Sequence, residues 1–67
     1  MTANSTYAQE TLMRHRAVTQ KTGVSKSTIY YFIARNEFPK PVKIGRRAVA
    51  WRASDIEAWI GSRQQAA

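Results

Sequence analysis

The 67-residue chain contains no cysteine, which removes disulfides, thiolate zinc sites, iron–sulfur clusters and cysteine nucleophiles together. Its fold must stand on packing alone. Acidic residues are scarce: four Asp plus Glu stand against eleven Lys plus Arg, for a formal net charge of +7. No long apolar run occurs, and the longest, Tyr30 to Ala34, is far too short to span a bilayer. The opening Met1-Thr2-Ala3-Asn4-Ser5-Thr6 has neither a basic n-region nor an apolar h-region. The chain is therefore expected to stay in the cytoplasm where it is made, without membrane attachment. No Ser/His/Asp set, P-loop or nucleotide-binding glycine pattern is present. A chain this short buries only about 60% of its unfolded surface, which leaves room for about a dozen core side chains and no deep cleft. These absences predict one small domain that is not an enzyme and uses no metal or cofactor.

What the chain does have is positive charge in one place. Between Arg14 and Arg52 lie ten basic residues and a single acid, Glu37, whereas both flanks are nearly neutral or acidic. Hydrophobic residues make up 43% and aromatics 10%, so this charge sits on a folded body and not on a disordered tail. Self-repulsion of that size opposes compaction, and a bound polyanion relieves it. Composition assigns residues 1–11 to a flexible opening segment, 12–63 to the domain and 64–67 to a frayed tail.

Within the domain, Thr22-Gly23-Val24-Ser25 is the strongest local signal. Gly23 suits the left-handed residue that ends one helix, and Ser25 can cap the next. The first helix is read as His15 to Thr22, with Ala17 and Val18 facing in and Arg16, Gln20 and Lys21 facing out. The second is read as Lys26 to about Arg35. Its Ile29, Phe32 and Ile33 fall on one face at helical spacing, with Ser27, Tyr31, Ala34 and Arg35 opposite. Asn36 follows, a residue that tolerates the left-handed conformation. Phe38-Pro39-Lys40-Pro41 cannot be helical. Val42-Lys43-Ile44 and Val49-Ala50-Trp51-Arg52 then alternate as two strands around a basic tip, Gly45-Arg46-Arg47-Ala48. Pairing Ile44 with Val49 and Val42 with Trp51 would place all four apolar side chains on one face. Ser54-Asp55-Ile56-Glu57 reads as a capping box opening a last helix with an Ile56, Trp59, Ile60 stripe.

Two short helices on a glycine turn, a basic-tipped hairpin and a closing helix are the order of a winged helix-turn-helix, a small α+β domain. Short polar groups on a helix can approach base edges in a major groove about 12 Å wide, while flanking cations hold phosphates. The candidate reading set on the second helix is Ser25, Lys26, Ser27, Thr28, Tyr30, Tyr31 and Arg35. The candidate wing set is Lys43, Arg46 and Arg47, suited to the backbone or the narrow minor groove. Lys40 and Lys43 are also readable as solubilising charge.

The chain also resembles a family, the AlpA-like small regulators of phages and mobile elements. The resemblance spans about Met13 to Ile60. It is carried by Thr22-Gly23-Val24-Ser25-Lys26-Ser27-Thr28-Ile29-Tyr30, by Phe38-Pro39-Lys40-Pro41-Val42-Lys43-Ile44-Gly45, by Ala50-Trp51-Arg52, by Asp55-Ile56 and by Ala58-Trp59-Ile60. Asn36 departs from the Gly usual there, and Tyr31 stands where a basic residue is common. The resemblance implies a winged-helix fold akin to the MerR DNA-binding domain, a second helix that reads double-stranded DNA, and a role in transcription or as an excisionase in site-specific recombination. It thereby makes a recombinase a further candidate partner and places the protein beside the bacterial nucleoid. A basic adaptor that docks an acidic regulator or integrase, and a structured-RNA binder, are the alternatives.

Other residues take plainer readings. Tyr30 divides evenly between contact and core edge, while Tyr31 points farther from the apolar stripe and favours a contact. The lone His15 reads as structural, and Trp51 and Trp59 as core aromatics rather than base-stacking platforms. Asp55 and Glu57 complement a helix dipole. A single domain of this size buries roughly 600 to 1,000 Å² on DNA, too little for tight and selective binding. With no heptad or large apolar helix face to pair through, the expectation is a monomer in solution that assembles cooperatively on DNA.

Overall fold

The computed structural model describes residues 11–63. Apart from Thr11, the expected flexible opening and frayed tail lie outside the described residues. The elements run β1 (Leu12–Met13), α1 (His15–Thr22), α2 (Lys26–Ala34), β2 (Val42–Lys43), β3 (Val49–Arg52) and α3 (Ala53–Gly61). The strands form one antiparallel sheet in the order β1-β3-β2.

The turn between α1 and α2 follows from three residues. Gly23 takes φ 76°, and its N–H donates to the Thr19 carbonyl at 2.8 Å, closing α1. Thr22 Oγ1 donates to the Val18 carbonyl at 2.8 Å and accepts from the Val24 N–H at 3.2 Å. Ser25 Oγ then accepts from the Thr28 N–H at 3.3 Å and donates to Thr28 Oγ1 at 2.9 Å, starting α2. At the far end of α2, Asn36 adopts φ 60°. Its N–H donates to the Ile33 carbonyl, and the Glu37 N–H reaches back to Phe32. This pair of bonds is the Schellman closure, in which a left-handed residue turns the chain out of the helix.

Val18, Ile29, Phe38, Trp51 and Ile56 form the buried core, one residue from each helix, one from β3 and one from the connector after α2. Met13, Val24, Phe32, Ile33, Val49, Trp59 and Ile60 pack around it. The proline-bearing connector from Glu37 to Pro41 is short of N–H donors, and its carbonyls are held by indoles. Trp51 Nε1–H donates to the Pro39 carbonyl and Trp59 Nε1–H to the Glu37 carbonyl, each at 2.8 Å. The connector leaving α2 is thereby fixed to both the sheet and α3. Lys21 on α1 and Glu57 on α3 meet at 2.7 Å. Being exposed, that pair contributes a few tenths of a kcal/mol.

Four expectations from the sequence need correction. The wing was read as two-stranded, but β1 adds a third strand, pairing Leu12 with Arg52 and Met13 with Trp51. The hairpin register is one residue away from the expected one: Val42 faces Ala50 and Lys43 faces Val49, and the Ile44 N–H donates to the Ala48 carbonyl at 2.9 Å. The tip is therefore a three-residue loop, Gly45 to Arg47. A one-residue slip exchanges faces, so Val42 and Ile44 do not share a face with Val49 and Trp51, and Ile44 is left exposed. β3 is instead covered on both sides, with Ala50 and Trp51 both buried. The capping box does not form, because α3 starts two residues earlier than a Ser54 cap requires. Arg52 is its N-cap without a side-chain bond, and the Ala53 N–H is satisfied by the Thr11 carbonyl at 2.7 Å. Glu57 serves Lys21 instead. Finally, Ala17 is exposed. The inner stripe of α1 is His15, Val18, Thr19 and Thr22, a correct helical spacing filled mostly by polar residues.

Candidate nucleic-acid interface

Ile29 is fully buried and Phe32 and Ile33 are half-buried, so the rest of α2 is turned outward. Lys26, Ser27, Tyr30, Tyr31, Ala34 and Arg35 are all exposed, with Tyr31 at 58%. Successive residues on this face are short polar, aromatic and cationic. Ser27 and Tyr31 lie one helical turn apart at its centre, and neither side chain is engaged in a hydrogen bond among the described residues. These are groups free to meet a ligand.

Three members of the expected reading set, Ser25, Thr28 and Arg35, are partly committed. Ser25 and Thr28 bond one another and the α2 backbone, so their first duty is to hold the helix start. Arg35 lies 5.5 Å from the centre of the Tyr31 ring and 3.4 Å from Glu37 Oε1. The guanidinium is thus already oriented along the outer face. It packs the Tyr31 ring from the C-terminal side while keeping over half its side-chain surface in solvent.

Tyr30 lies at the edge of the core and keeps 39% of its surface exposed. Its ring meets the Trp51 ring at 6.3 Å, at the edge of the core. Its hydroxyl, still solvent-accessible, lies 2.7 Å from His15 Nε2. His15 in turn sits edge-on against Trp51 at 5.0 Å. Sequence reading assigned His15 no role in the site. The available signal was the i, i+3, i+4, i+7 spacing of His15, Val18, Thr19 and Thr22, which faces His15 toward α2. Partial burial, with the Lys26 and Arg14 charges nearby, holds the His15 imidazole below its ordinary value.

On the hairpin, Lys43, Arg46 and Arg47 are exposed. Among the described residues the only ion pairs are Lys21 with Glu57 and Arg35 with Glu37. Arg14, Arg16, Lys26, Lys40, Lys43, Arg46, Arg47 and Arg52 therefore have no carboxylate in range there, and the positive surface is uncompensated. Such a surface draws a polyanion. No described helix is long and apolar enough to cross a membrane.

The family model described as prophage CP4-57 regulatory protein (AlpA) matches residues 11–64. The chain belongs to the AlpA family of phage regulatory proteins. It is 42% identical over 55 residues to "Uncharacterized protein ORF88" of Enterobacteria phage P4, a match that covers 82% of this chain and 62% of that protein. It is 33% identical over 58 residues to the "DNA-binding transcriptional activator AlpA" of Escherichia coli (strain K12), covering 78% of this chain and 83% of that protein. The chain thus spans less than two thirds of the phage P4 protein and most of the E. coli AlpA. No solved structure matches significantly. The AlpA match takes in both helices of the turn, the sheet and α3.

Proposed function

We propose that residues 12–63 form a winged helix-turn-helix that binds specific double-stranded DNA. In this reading α2 enters the major groove. Ser27 and Tyr31 meet base edges, Lys26 and Arg35 meet phosphates, and Ser25, Thr28 and Tyr30 hold the helix in register. The hairpin is the wing, with Lys43, Arg46 and Arg47 on the neighbouring backbone. The observation that carries the reading is the outer face of α2: the unbonded Ser27 and Tyr31 side chains, framed by Lys26, which no described carboxylate pairs, and by Arg35, which Glu37 holds along that face. Such a face supplies both base readout and phosphate anchoring. Membership of the AlpA family and the DNA-binding description of the E. coli relative support it.

The biological role proposed is that of a phage, prophage or mobile-element regulator that acts on transcription and, as an excisionase, on recombination direction. The protein is a monomer in free solution, and neighbouring copies or a site-specific recombinase add to it on DNA. Selection of bound sites from random duplex DNA, with competition by duplex RNA and single strands at one salt concentration, tests the reading. A recurrent duplex motif that RNA does not displace is the expected result. About five to six phosphate contacts give a slope of log affinity on log salt near −5. Equal binding of all polyanions, or a slope shallower than about −2, would contradict it.

A further inference from the structure

The corner where α1 and α2 meet carries a cluster in which the reading above gives His15 and Arg14 no task. Arg14 and His15 open α1, while Lys26 and Tyr30 lie one turn apart on the same side of α2. His15 Nε2 and the Tyr30 hydroxyl are 2.7 Å apart. Both rings rest on Trp51, a fully buried and therefore fixed platform. The charged groups acting on the imidazole are Lys26 from α2 and Arg14 from its own end of α1, both cationic. The described carboxylates pair elsewhere or stand on α3. The cluster is thus two permanent cations, one titratable ring and one hydroxyl, with no carboxylate paired to them among the described residues.

We infer that Arg14, His15, Lys26 and Tyr30 form a proton-linked subsite for one backbone phosphodiester of duplex DNA, in which His15 takes up a proton when the phosphate docks. The inference rests on the DNA-binding reading above. Above pH 6.5 the neutral form of the free imidazole dominates, and in the tautomer with Nδ1 protonated its bare Nε2 accepts the Tyr30 O–H. The hydroxyl hydrogen is then spent on His15. Protonation puts a hydrogen on Nε2, which now donates to the Tyr30 oxygen and releases the hydroxyl hydrogen toward a phosphate oxygen. One proton therefore adds a positive charge and frees a donor at the same place. Burial, and after it the repulsion by Lys26 and Arg14, favours the neutral free ring; a docked phosphate outweighs both by placing a negative charge beside the imidazole, so proton and phosphate bind together.

His15 is the only histidine in the chain, so its ring protons report the site without ambiguity. The experiment follows the His15 imidazole by NMR from pH 5 to 8, free and bound to the selected duplex, alongside duplex affinity across the same range. Free His15 is expected to titrate below 6.5, and bound His15 above it. Affinity is expected to be about five- to tenfold greater at pH 5.5 than at pH 7.5. His15→Gln, and Tyr30→Phe, which keeps the ring on Trp51, should each flatten that dependence while circular dichroism shows the fold intact. A bound titration no higher than the free one, or an unchanged pH dependence in a folded His15→Gln, would overturn the subsite while leaving DNA binding standing. Absence of duplex binding at every pH would instead overturn the functional reading, and this inference with it.

Discussion

The indole N–H of Trp51 donates to the Pro39 carbonyl at 2.8 Å, tying the central strand to the connector that leaves α2. Trp59 makes the same bond at the same length to Glu37. The two differ in burial, since Trp51 is fully buried and Trp59 only half so. Trp51→Phe leaves the Pro39 carbonyl without its donor inside a cavity and is expected to cost about 2–4 kcal/mol. Trp59→Phe, where water can replace the indole, is expected to cost under about 1.5 kcal/mol. Urea unfolding of both variants checks the order.

The two left-handed residues give a second pair of expectations. A Cβ added at Gly23 meets nothing within 4 Å, so Gly23→Ala is opposed by backbone strain at φ 76° and not by a clash. Its expected cost is about 1 kcal/mol. Asn36, at φ 60°, already carries part of that strain, and Asn36→Gly is expected to stabilise by up to about 1 kcal/mol. In a domain this small each kcal/mol shifts Tm by roughly 4–8 °C, which thermal melting resolves.

These residues also mark how far the sequence could be read. The bounds of α1 are those expected, and α2 differs only in that Arg35 lies just beyond it. Their ends are set by local chemistry, a glycine that can go left-handed and a serine that can cap. What the sequence did not disclose depends on residues distant along the chain. β1 is two residues long and exists because Leu12 and Met13 find β3. The start of α3 moves because Thr11 supplies a carbonyl to Ala53. The hairpin slip follows from a three-residue tip that a four-residue reading of Gly45-Arg46-Arg47-Ala48 cannot distinguish by apolar alternation alone. In the site, the outer face of α2 was legible because its inner stripe is apolar. His15 was not, because it lies on a stripe whose other members are two threonines and one valine, which hydrophobicity alone does not reveal.

Stability should depend on pH through His15. Its folded-state value lies below the ordinary one of about 6.5, so the unfolded chain takes the proton more readily. The contribution is complete above pH 6.5. It declines as pH falls through 6.5 toward the folded value, below which it levels off. Urea midpoints of the free protein measured between pH 7.5 and 5.5 should fall for the native sequence and stay flatter in His15→Gln.

The most direct measurement compares affinities for the selected duplex and a scrambled one in four proteins: the native chain, Ser27→Ala and Tyr31→Ala on α2, and Arg46→Ala with Arg47→Ala on the hairpin. If α2 reads bases and the hairpin holds backbone, each α2 variant lowers the ratio of selected to scrambled binding by about tenfold. The hairpin variant weakens both duplexes equally and makes the salt slope shallower by about 2. Folded α2 variants that keep the full ratio, or a hairpin variant that loses it, would contradict the assignment of reading to α2.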